Sequence, residues 1–305
     1  MYLPRTIDDY SVIERLPSGG QETELFKALD AAGTVVCIKR VHPNFAADPL
    51  FEGRFKRELA LAEKLRHRNI VEVSGHGEDD GYYFVMEYVD GPSLDALLEA
   101  GALSPSLVAY VGIELCRALA FLHHTDRDGG RDHAVIHSDV SPDNVLISRR
   151  DGGVRLSDFG LAKALARTGA ETITRARGKP TYMSPEQLAG EKVSSRTDLF
   201  SLGLVLWRAL VGSHPYAEGR QQTRPPQPIG EWLRARTLIN DRRLVVEAAP
   251  HAPSALCAAI EGLLQPLPSR TPTAEDVFNV LRRVEPLDGH AQLAAWVARI
   301  DGEAG

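Results

Sequence analysis

The sequence predicts an α+β fold made of two lobes, because its pattern of apolar residues changes once, near residues 90–92. Before that point, short β-branched and aromatic runs alternate with turn residues, which predicts a small, mostly antiparallel sheet with one helix at residues 50–65. After it, long amphipathic segments predict a mainly helical half. The cleft between two such halves is the expected place for a ligand.

The individual elements follow from the same periodicities. We predict strands at residues 10–16, 34–41 and 82–88, and helices at residues 104–123, 195–211, 253–264, 273–284 and 290–300. These elements divide the chain into an N-lobe at 10–89, a C-lobe at 90–285 and a C-terminal helical tail at 286–305. The Pro-rich stretch at 223–229 and the stretch at 125–133, rich in Asp, Arg and Gly, predict surface loops.

Composition indicates a globular protein and argues against several functions. Hydrophobic residues make up 43% and charged residues 25% of the chain. A net charge of −6 argues against nucleic-acid binding, which needs a basic surface. The three cysteines are far apart, so neither a disulfide framework nor a zinc site is expected.

Apolar stretches such as residues 201–211 are shorter than the roughly 20 residues of a spanning helix, and residues 1–10 lack a signal-peptide core. We therefore expect a cytoplasmic protein without a membrane partner.

Several short motifs carry chemistry, and they occur in one order along the chain. Asp139 and Asn144 stand five residues apart, and a tripeptide that begins with Asp158 follows fourteen residues after Asn144. Lys39 ends an apolar run on a predicted strand, and Glu58 lies on the next predicted helix. Together with the run Met183-Ser184-Pro185-Glu186, this set resembles the signature of protein kinases and is most similar to bacterial serine/threonine kinases of eukaryotic type. The resemblance covers about residues 10–285.

The resemblance implies a bilobal protein-kinase-like fold and a role for each residue in ATP-dependent phosphoryl transfer. Lys39, oriented by an ion pair with Glu58, would contact the α and β phosphates. Asp158 and Asn144 would supply the hard oxygen ligands that Mg2+ prefers, with Mn2+ as an alternative ion. Asp139 would orient or accept the proton of a serine or threonine hydroxyl on a protein substrate, or on the kinase itself in autophosphorylation.

The same resemblance places the adenine base of ATP at the junction of the two lobes. The backbone of Glu87 and Val89 would hydrogen-bond the base, and Met86 would close the back of the pocket. Apolar side chains would sandwich the ring, namely Leu16, Leu25, Cys37 and Leu146.

The turn expected to cover the phosphates departs from the family pattern. Gly19 and Gly20 stand in the region where protein kinases have three spaced glycines, which let backbone amides approach the phosphates. A proline replaces the first glycine, and Glu22 or Thr23 stands in place of the third. A negative side chain near the γ phosphate predicts weak ATP binding, or a loop that opens away from the nucleotide.

Three further positions differ from the family. Ser141 stands where the family has a lysine, and Lys179 stands where it has a threonine that meets that lysine beside Asp139. We hypothesise that Lys179 supplies the cation from the activation segment, the alternative being an ordinary solvated lysine. Ser138 replaces the arginine that receives an activation-loop phosphate in many kinases, so activation is not expected to depend strictly on such a phosphate.

Other motif residues are expected to support the fold. In the family, the residue matching Asp198 hydrogen-bonds the backbone of the loop that carries Asp139. Glu186 and Arg270 would form a buried ion pair between the activation segment and the C-lobe. His137 and Phe159 would belong to the core.

Three functions are compatible with this sequence. The first is an active protein kinase with ATP and protein substrates as partners. A pseudokinase or regulatory scaffold of the same fold is favoured by the altered glycine turn but opposed by the intact catalytic set. A small-molecule kinase shares the spacing of Asp139 and Asn144, but Asp198 and Arg270 argue against it. The protein substrate, the activating signal and the oligomeric state are left open.

Overall fold

The computed structural model describes residues 4–17, 23–42, 51–125, 135–158, 180–215, 244–267, 269–270 and 272–303. The predictions for Gly19, Gly20, Phe159 and Lys179, and those for residues 126–133 and 223–229, lie outside these residues, as does the side chain of Glu58. Within the described residues, a strand-rich half precedes a mainly helical half. The predicted α+β, two-lobed fold is therefore confirmed.

The N-lobe is built around a six-stranded sheet. Its strands are β1 (Thr6–Ile7), β2 (Tyr10–Leu16), β3 (Thr23–Leu29), β4 (Val35–Val41), β5 (Val73–Glu78) and β6 (Tyr82–Glu87). They lie in the order β1-β2-β3-β4-β6-β5, and every neighbouring pair is antiparallel. The three predicted strands, now β2, β4 and β6, are confirmed, whereas β1, β3 and β5 were not predicted.

The turn between β3 and β4 follows from its local sequence. Asp30 Oδ1 accepts a hydrogen bond from the backbone N–H of Thr34 at 2.7 Å. Gly33 lies between them with a φ of +80°, in the left-handed region that glycine enters without steric cost. This turn sets the register of the hairpin, in which Leu25 lies opposite Lys39.

One helix, α1 (Phe51–Ala62), packs on the sheet. Phe55 and Leu59 of this helix form a buried cluster with Val41 and Phe84 of the strands, and the rings of Phe55 and Phe84 are 4.4 Å apart. The helix ends three residues earlier than the predicted range of 50–65. It covers the face of β4 next to Lys39, so its packing helps to fix the strand that carries this lysine.

The C-lobe consists of helices and one short hairpin. The helices are α2 (Leu94–Glu99), α3 (Pro105–His124), α4 (Pro185–Leu188), α5 (Ser195–Val211), α6 (Val245–Ala248), α7 (Ser254–Leu263), α8 (Ala274–Leu281) and α9 (Gly289–Glu303). The hairpin is formed by β7 (Val145–Ile147) and β8 (Val154–Leu156). The five predicted helices are confirmed, with ends that differ by at most three residues, whereas α2, α4 and α6 were not predicted.

Helices α3 and α5 form the centre of the C-lobe. Ser104 caps α3 by accepting a hydrogen bond from the Leu107 N–H at 3.4 Å, and Pro105 follows as a residue already suited to the first turn. Helix α5 ends at Gly212, whose φ of +82° gives the left-handed cap that glycine favours. Most residues of both helices are buried. They therefore give the lobe a rigid base.

Helix α3 is long and apolar enough to cross a membrane, with 20 residues and a mean hydropathy of 1.5. The expectation that apolar stretches stay below that length was therefore wrong for this helix. Most of it, 72% of the tested window, is buried inside the protein, and core helices pass the same test. No other helix of the described residues passes it.

The C-terminal helix α9 packs against the C-lobe. Leu293 and Val297 are fully buried in the main core cluster. Near the end of the helix, Asp301 accepts a hydrogen bond from Arg149 at 2.7 Å. Gly152 approaches the start of the helix so closely that a Cβ there would lie 2.0 Å from a backbone oxygen. The bounds predicted for the lobes and the tail stay predictions.

Candidate active site

The candidate site is the cleft where β4 of the N-lobe faces the loop at residues 137–144 and the end of β8. Lys39 Nζ lies 2.6 Å from Asp158 Oδ1. Asn144 donates from its side-chain nitrogen to the backbone oxygen of Asp139 at 2.8 Å and to Asp139 Oδ2 at 3.0 Å. The structure therefore brings together four of the predicted site residues from three separate segments.

Lys39 reaches the cleft from the centre of the sheet. Its strand is paired on both sides, with Leu25 opposite it on β3 and Phe84 opposite it on β6. The residue is only 8% exposed, and a buried ammonium group needs a charged partner. Within the described side chains that partner is Asp158, a pairing that the sequence had not suggested. The predicted ion pair with Glu58 involves a side chain outside the described part and stays a prediction.

Asn144 and Asp158 are brought near each other by the β7–β8 hairpin, because β7 begins directly after Asn144 and β8 ends two residues before Asp158. Val145 pairs with Leu156, so the next residues at the open end of the hairpin are also neighbours. Ser157 donates its backbone N–H to the Asn144 carbonyl at 2.8 Å. Fourteen residues of sequence separation are therefore closed by one short antiparallel pair, which places an amide and a carboxylate side by side.

Asp198, in the first turn of α5, holds the backbone of the loop before Asp139. Its carboxylate is fully buried and accepts the N–H groups of His137 at 2.9 Å and Ser138 at 2.7 Å. It also contacts His123 of α3 at 2.9 Å, a partner that no sequence signal indicated. The predicted supporting role of Asp198 is confirmed. The need for this support is visible at Ser138, whose φ of +68° is rare for a residue other than glycine.

His137 connects this loop to β8. It is 1% exposed, as expected for a core residue. Its Nδ1 accepts the Asp139 N–H at 3.2 Å, so Nε2 carries the proton and donates to the Ser157 carbonyl at 2.9 Å. The single imidazole ring thereby fixes the spacing between the segment of Asp139 and the segment of Asp158.

Asp139 has a pKa raised to about 7. Burial contributes most to this rise in the pKa, and the negative charge of Asp158 adds to it. The hydrogen bond from Asn144 and the charge of Lys39 act in the opposite direction. Asp139 is partly exposed, so a substrate can still reach it. A carboxylate whose pKa lies near neutrality is a better proton acceptor than an ordinary aspartate. Asp139 is therefore suited to take a proton from a hydroxyl group.

An apolar cluster lies beside these charged residues. Cys37, Val71 and Met86 form its buried centre, and six partly buried side chains pack against them, namely Leu16, Leu25, Val73, Tyr88, Val89 and Leu146. The cluster thus collects every apolar side chain predicted to surround adenine, together with Val71, Val73 and Tyr88, which were not predicted. Burial, followed by the charge of Asp158, raises the pKa of the Cys37 thiol to about 12.

Glu87 and Ser141, two further predicted site residues, lie at the edge of the cleft. Glu87 lies at the end of β6, donates its N–H to Glu72 and forms an ion pair with Arg155 of β8 at 3.4 Å, so it links the two lobes. Ser141 is 3% exposed and directly precedes the turn that carries Asn144. Because Lys179 lies outside the described residues, the exchange of roles between it and Ser141 stays a hypothesis.

The segment after the cleft is anchored by the predicted ion pair. Arg270 donates to both carboxylate oxygens of Glu186, at 2.7 and 3.4 Å, and the two side chains are 0% and 4% exposed. Thr197 of α5 donates to the same carboxylate at 3.1 Å. The prediction of a buried Glu186–Arg270 pair is confirmed.

A model of the protein kinase domain matches residues 10–280. The chain belongs to the protein kinase family. The kinase is 38% identical over 226 residues to the serine/threonine-protein kinase PknB of Mycolicibacterium smegmatis, which covers 71% of this chain and 35% of that protein. It is 36% identical over 217 residues to the tyrosine-protein kinase MasK of Myxococcus xanthus, which covers 68% of this chain and 33% of that protein.

The kinase spans about a third of the length of these curated relatives. Among solved structures, it resembles the kinase domain of Mycobacterium tuberculosis PknI, with a TM-score of 0.68 and 22% sequence identity. That likeness covers 93% of this chain and 99% of the PknI chain. It shows a shared fold.

Protein kinases use ATP and a divalent metal ion, and the cleft residues fit both. Asn144 directs its amide nitrogen at Asp139, so its amide oxygen points away from that residue. This oxygen and the carboxylate of Asp158 are hard ligands of the kind that small divalent ions prefer. Within the described residues there is no cluster of three or more His, Cys, Asp or Glu side chains able to hold a metal by themselves.

Proposed function

We propose that this kinase transfers the γ-phosphate of ATP, with Mg2+, to serine or threonine hydroxyls of proteins. The observation that carries the proposal is the geometry of Asp139, whose carboxylate is held by Asn144 next to the Lys39–Asp158 pair. Serine and threonine are favoured as acceptors because PknB is named as a serine/threonine kinase. Tyrosine is the competing acceptor, since MasK is named as a tyrosine kinase.

Each group has a distinct part in this reaction. The apolar cluster around Cys37 and Met86 would shield the adenine ring from water. The ammonium group of Lys39 would hold phosphate oxygens, and Asn144 and Asp158 would hold the ion. Magnesium, when bound, supplies positive charge to the phosphates. Asp139 would orient the attacking hydroxyl and receive its proton, consistent with its raised pKa.

The test is transfer of radiolabelled phosphate from ATP to a protein substrate and to the kinase itself. Asp139→Asn keeps the shape of the side chain but removes the proton acceptor, so we expect activity to fall by about 10²- to 10⁴-fold while ATP binding persists. Asp158→Ala should lose both activity and metal-dependent ATP binding. The matched control is Asp9→Asn, which changes an exposed carboxylate in the turn between β1 and β2.

The outcome separates the alternatives. Unchanged activity in Asp139→Asn would exclude the proposed catalytic role. No transfer by the wild type, with ATP still bound, would indicate the pseudokinase alternative. Phosphoamino-acid analysis of the product distinguishes serine and threonine from tyrosine as the acceptor.

A further inference from the structure

The direction of the Asp139 side chain depends on the peptide group that joins Ser138 to Asp139. The N–H of this peptide donates to His137 Nδ1 at 3.2 Å. Its carbonyl oxygen, on Ser138, accepts a hydrogen bond from Gln187 Nε2 at 2.8 Å. Both ends of the peptide are therefore held, and the plane of the peptide is fixed just before the reactive carboxylate.

Gln187 lies on α4, 49 residues further along the chain, and its side chain is fixed at both ends of the amide. The Gln187 Oε1 accepts a hydrogen bond from the backbone N–H of Ser184 at 3.0 Å, and the backbone N–H of Gln187 donates to Ser184 Oγ at 3.3 Å. These reciprocal bonds form a capping box at the start of α4. The neighbouring Glu186 is tied to Arg270, so the support behind Gln187 is rigid.

The backbone at Ser138 needs such support. Its φ of +68° lies in the left-handed region, which a residue with a Cβ rarely adopts unless its surroundings impose it. The Ser138 side chain gives no help, because its Oγ is buried without a hydrogen-bond partner among the described residues. Asp198 holds the N–H of Ser138, and Gln187 holds its carbonyl. The strained residue is thus restrained from opposite sides.

We propose that Gln187 is a positioning residue for phosphoryl transfer, which acts by fixing the Ser138–Asp139 peptide and so the direction of the Asp139 carboxylate. This inference rests on the proposed function. The bond that Gln187 makes is neutral and comes from a helix anchored to the C-lobe, so it requires no phosphate on the activation segment. Gln187 would not touch the nucleotide or the acceptor hydroxyl.

The substitution Gln187→Glu tests this role sharply. The introduced carboxylate can still accept the N–H of Ser184 and is favourable in the first turn of a helix, so the cap is kept. It cannot donate to the Ser138 carbonyl, and its second oxygen repels that carbonyl, so the bond to the loop is lost and the two groups move apart. Because small misplacements of reacting groups are costly, we expect kcat to fall by about 10- to 100-fold, with KM for ATP within about twofold of wild type.

The matched control is Gln292→Glu, the same change on the exposed surface of α9, where the side chain donates a hydrogen bond to the nearby Asp288 at 2.7 Å. It should leave kcat unchanged. Hydrogen exchange provides a second readout, because the amides of Ser138 and Asp139 should exchange faster in Gln187→Glu while those of α5 do not change. If Gln187→Glu does not fold, Gln187→Met, which has a similar length and no charge, replaces it in both measurements, although it removes the bond from the Ser184 N–H as well as the bond to the Ser138 carbonyl.

The results separate this inference from the proposed function. A wild-type protein without transferase activity would overturn the proposed function, and the exchange data alone would then show whether Gln187 holds the loop. An active wild type with equal kcat in Gln187→Glu would overturn the positioning role. A loss of kcat that follows a general loss of folded protein, with exchange increased throughout the C-lobe, would also overturn it.

Discussion

Removal of Arg270 should destabilise the kinase strongly, because it leaves the Glu186 carboxylate buried without its cation. Arg270 is fully buried and donates to Glu186, to the Arg196 carbonyl at 2.8 Å and to the Gln265 carbonyl at 2.8 Å. After Arg270→Met, the partners described for the Glu186 side chain are neutral, namely the hydroxyls of Thr197 and Ser184 and the backbone N–H of Glu186 itself. Breaking a buried pair in this way costs about 3–5 kcal/mol, a large share of a total stability of roughly 5–15 kcal/mol.

Substitution of the other partner, Glu186, should reduce the stability by less. Glu186→Gln keeps the size of the side chain and its ability to accept from Thr197, and it leaves Arg270 with two backbone carbonyls as partners. The effects of the two changes should also not add, because each single change already breaks the pair. We therefore expect Arg270→Met to lose more stability than Glu186→Gln, and the double variant to lose less than the sum of the two.

The pH dependence of the stability difference provides a second, independent test of the Glu186–Arg270 pair. In the wild type, burial acts to raise the pKa of Glu186, but the hydrogen bond and charge of Arg270 outweigh it, so the pKa lies below 4.5. The pair therefore stabilises the fold fully above the unfolded-state pKa of about 4.3, and this contribution is lost as pH falls through the folded-state pKa. In Arg270→Met the cation that opposes burial is gone, and only neutral hydrogen-bond donors still lower the pKa of Glu186. This pKa should therefore rise, and the deficit relative to wild type should shrink from pH 7 to pH 5.

Urea unfolding at 25 °C, followed by both tryptophan fluorescence and circular dichroism, measures these free energies when the two transitions coincide. The reasoning is refuted if Arg270→Met lies within about 1 kcal/mol of wild type at pH 7, well below the cost expected for a broken buried pair. A deficit that stays constant between pH 7 and pH 5 would refute the electrostatic explanation in particular.

Three further predictions concern other parts of the fold. Gly152→Ala should lose about 1–3 kcal/mol in urea unfolding, because a Cβ would meet the backbone of α9, whereas Gly33→Ala, with a similar φ and open space, should lose less. Asp301→Ala removes an ion pair with Arg149 whose side chains are both more than 40% exposed, so the stability should change by less than about 1 kcal/mol, and a larger loss would show that this contact anchors α9. Cys37, whose thiol pKa is raised to about 12, should react slowly with iodoacetamide at pH 8 in the native protein and rapidly after unfolding, as measured by mass spectrometry.

Elements with strong periodicity were predictable from the sequence, and those that depend on a neighbour were not. Helix α5 has the predicted bounds because nearly continuous apolar sequence and a terminal Gly212 both specify them. Strand β5 contains Gly75 and Gly77 and lacks an apolar alternation, so it exists as a strand through its pairing with β6. The presence of Gly77 has a tertiary reason, since a Cβ there would collide with the ring of Tyr83.

Local patterns in the sequence predicted the two-lobed fold, and the fixed spacings around Asp139, Asn144 and Asp158 predicted that these residues lie in one site. How these groups are held in place depends on tertiary contacts. The pairing of Lys39 with Asp158 and the bond from Gln187 to the Ser138 carbonyl join segments 119 and 49 residues apart. Such contacts depend on how separate elements pack and on which donors remain near a strained backbone, and neither property is written in the spacing of residues along the chain.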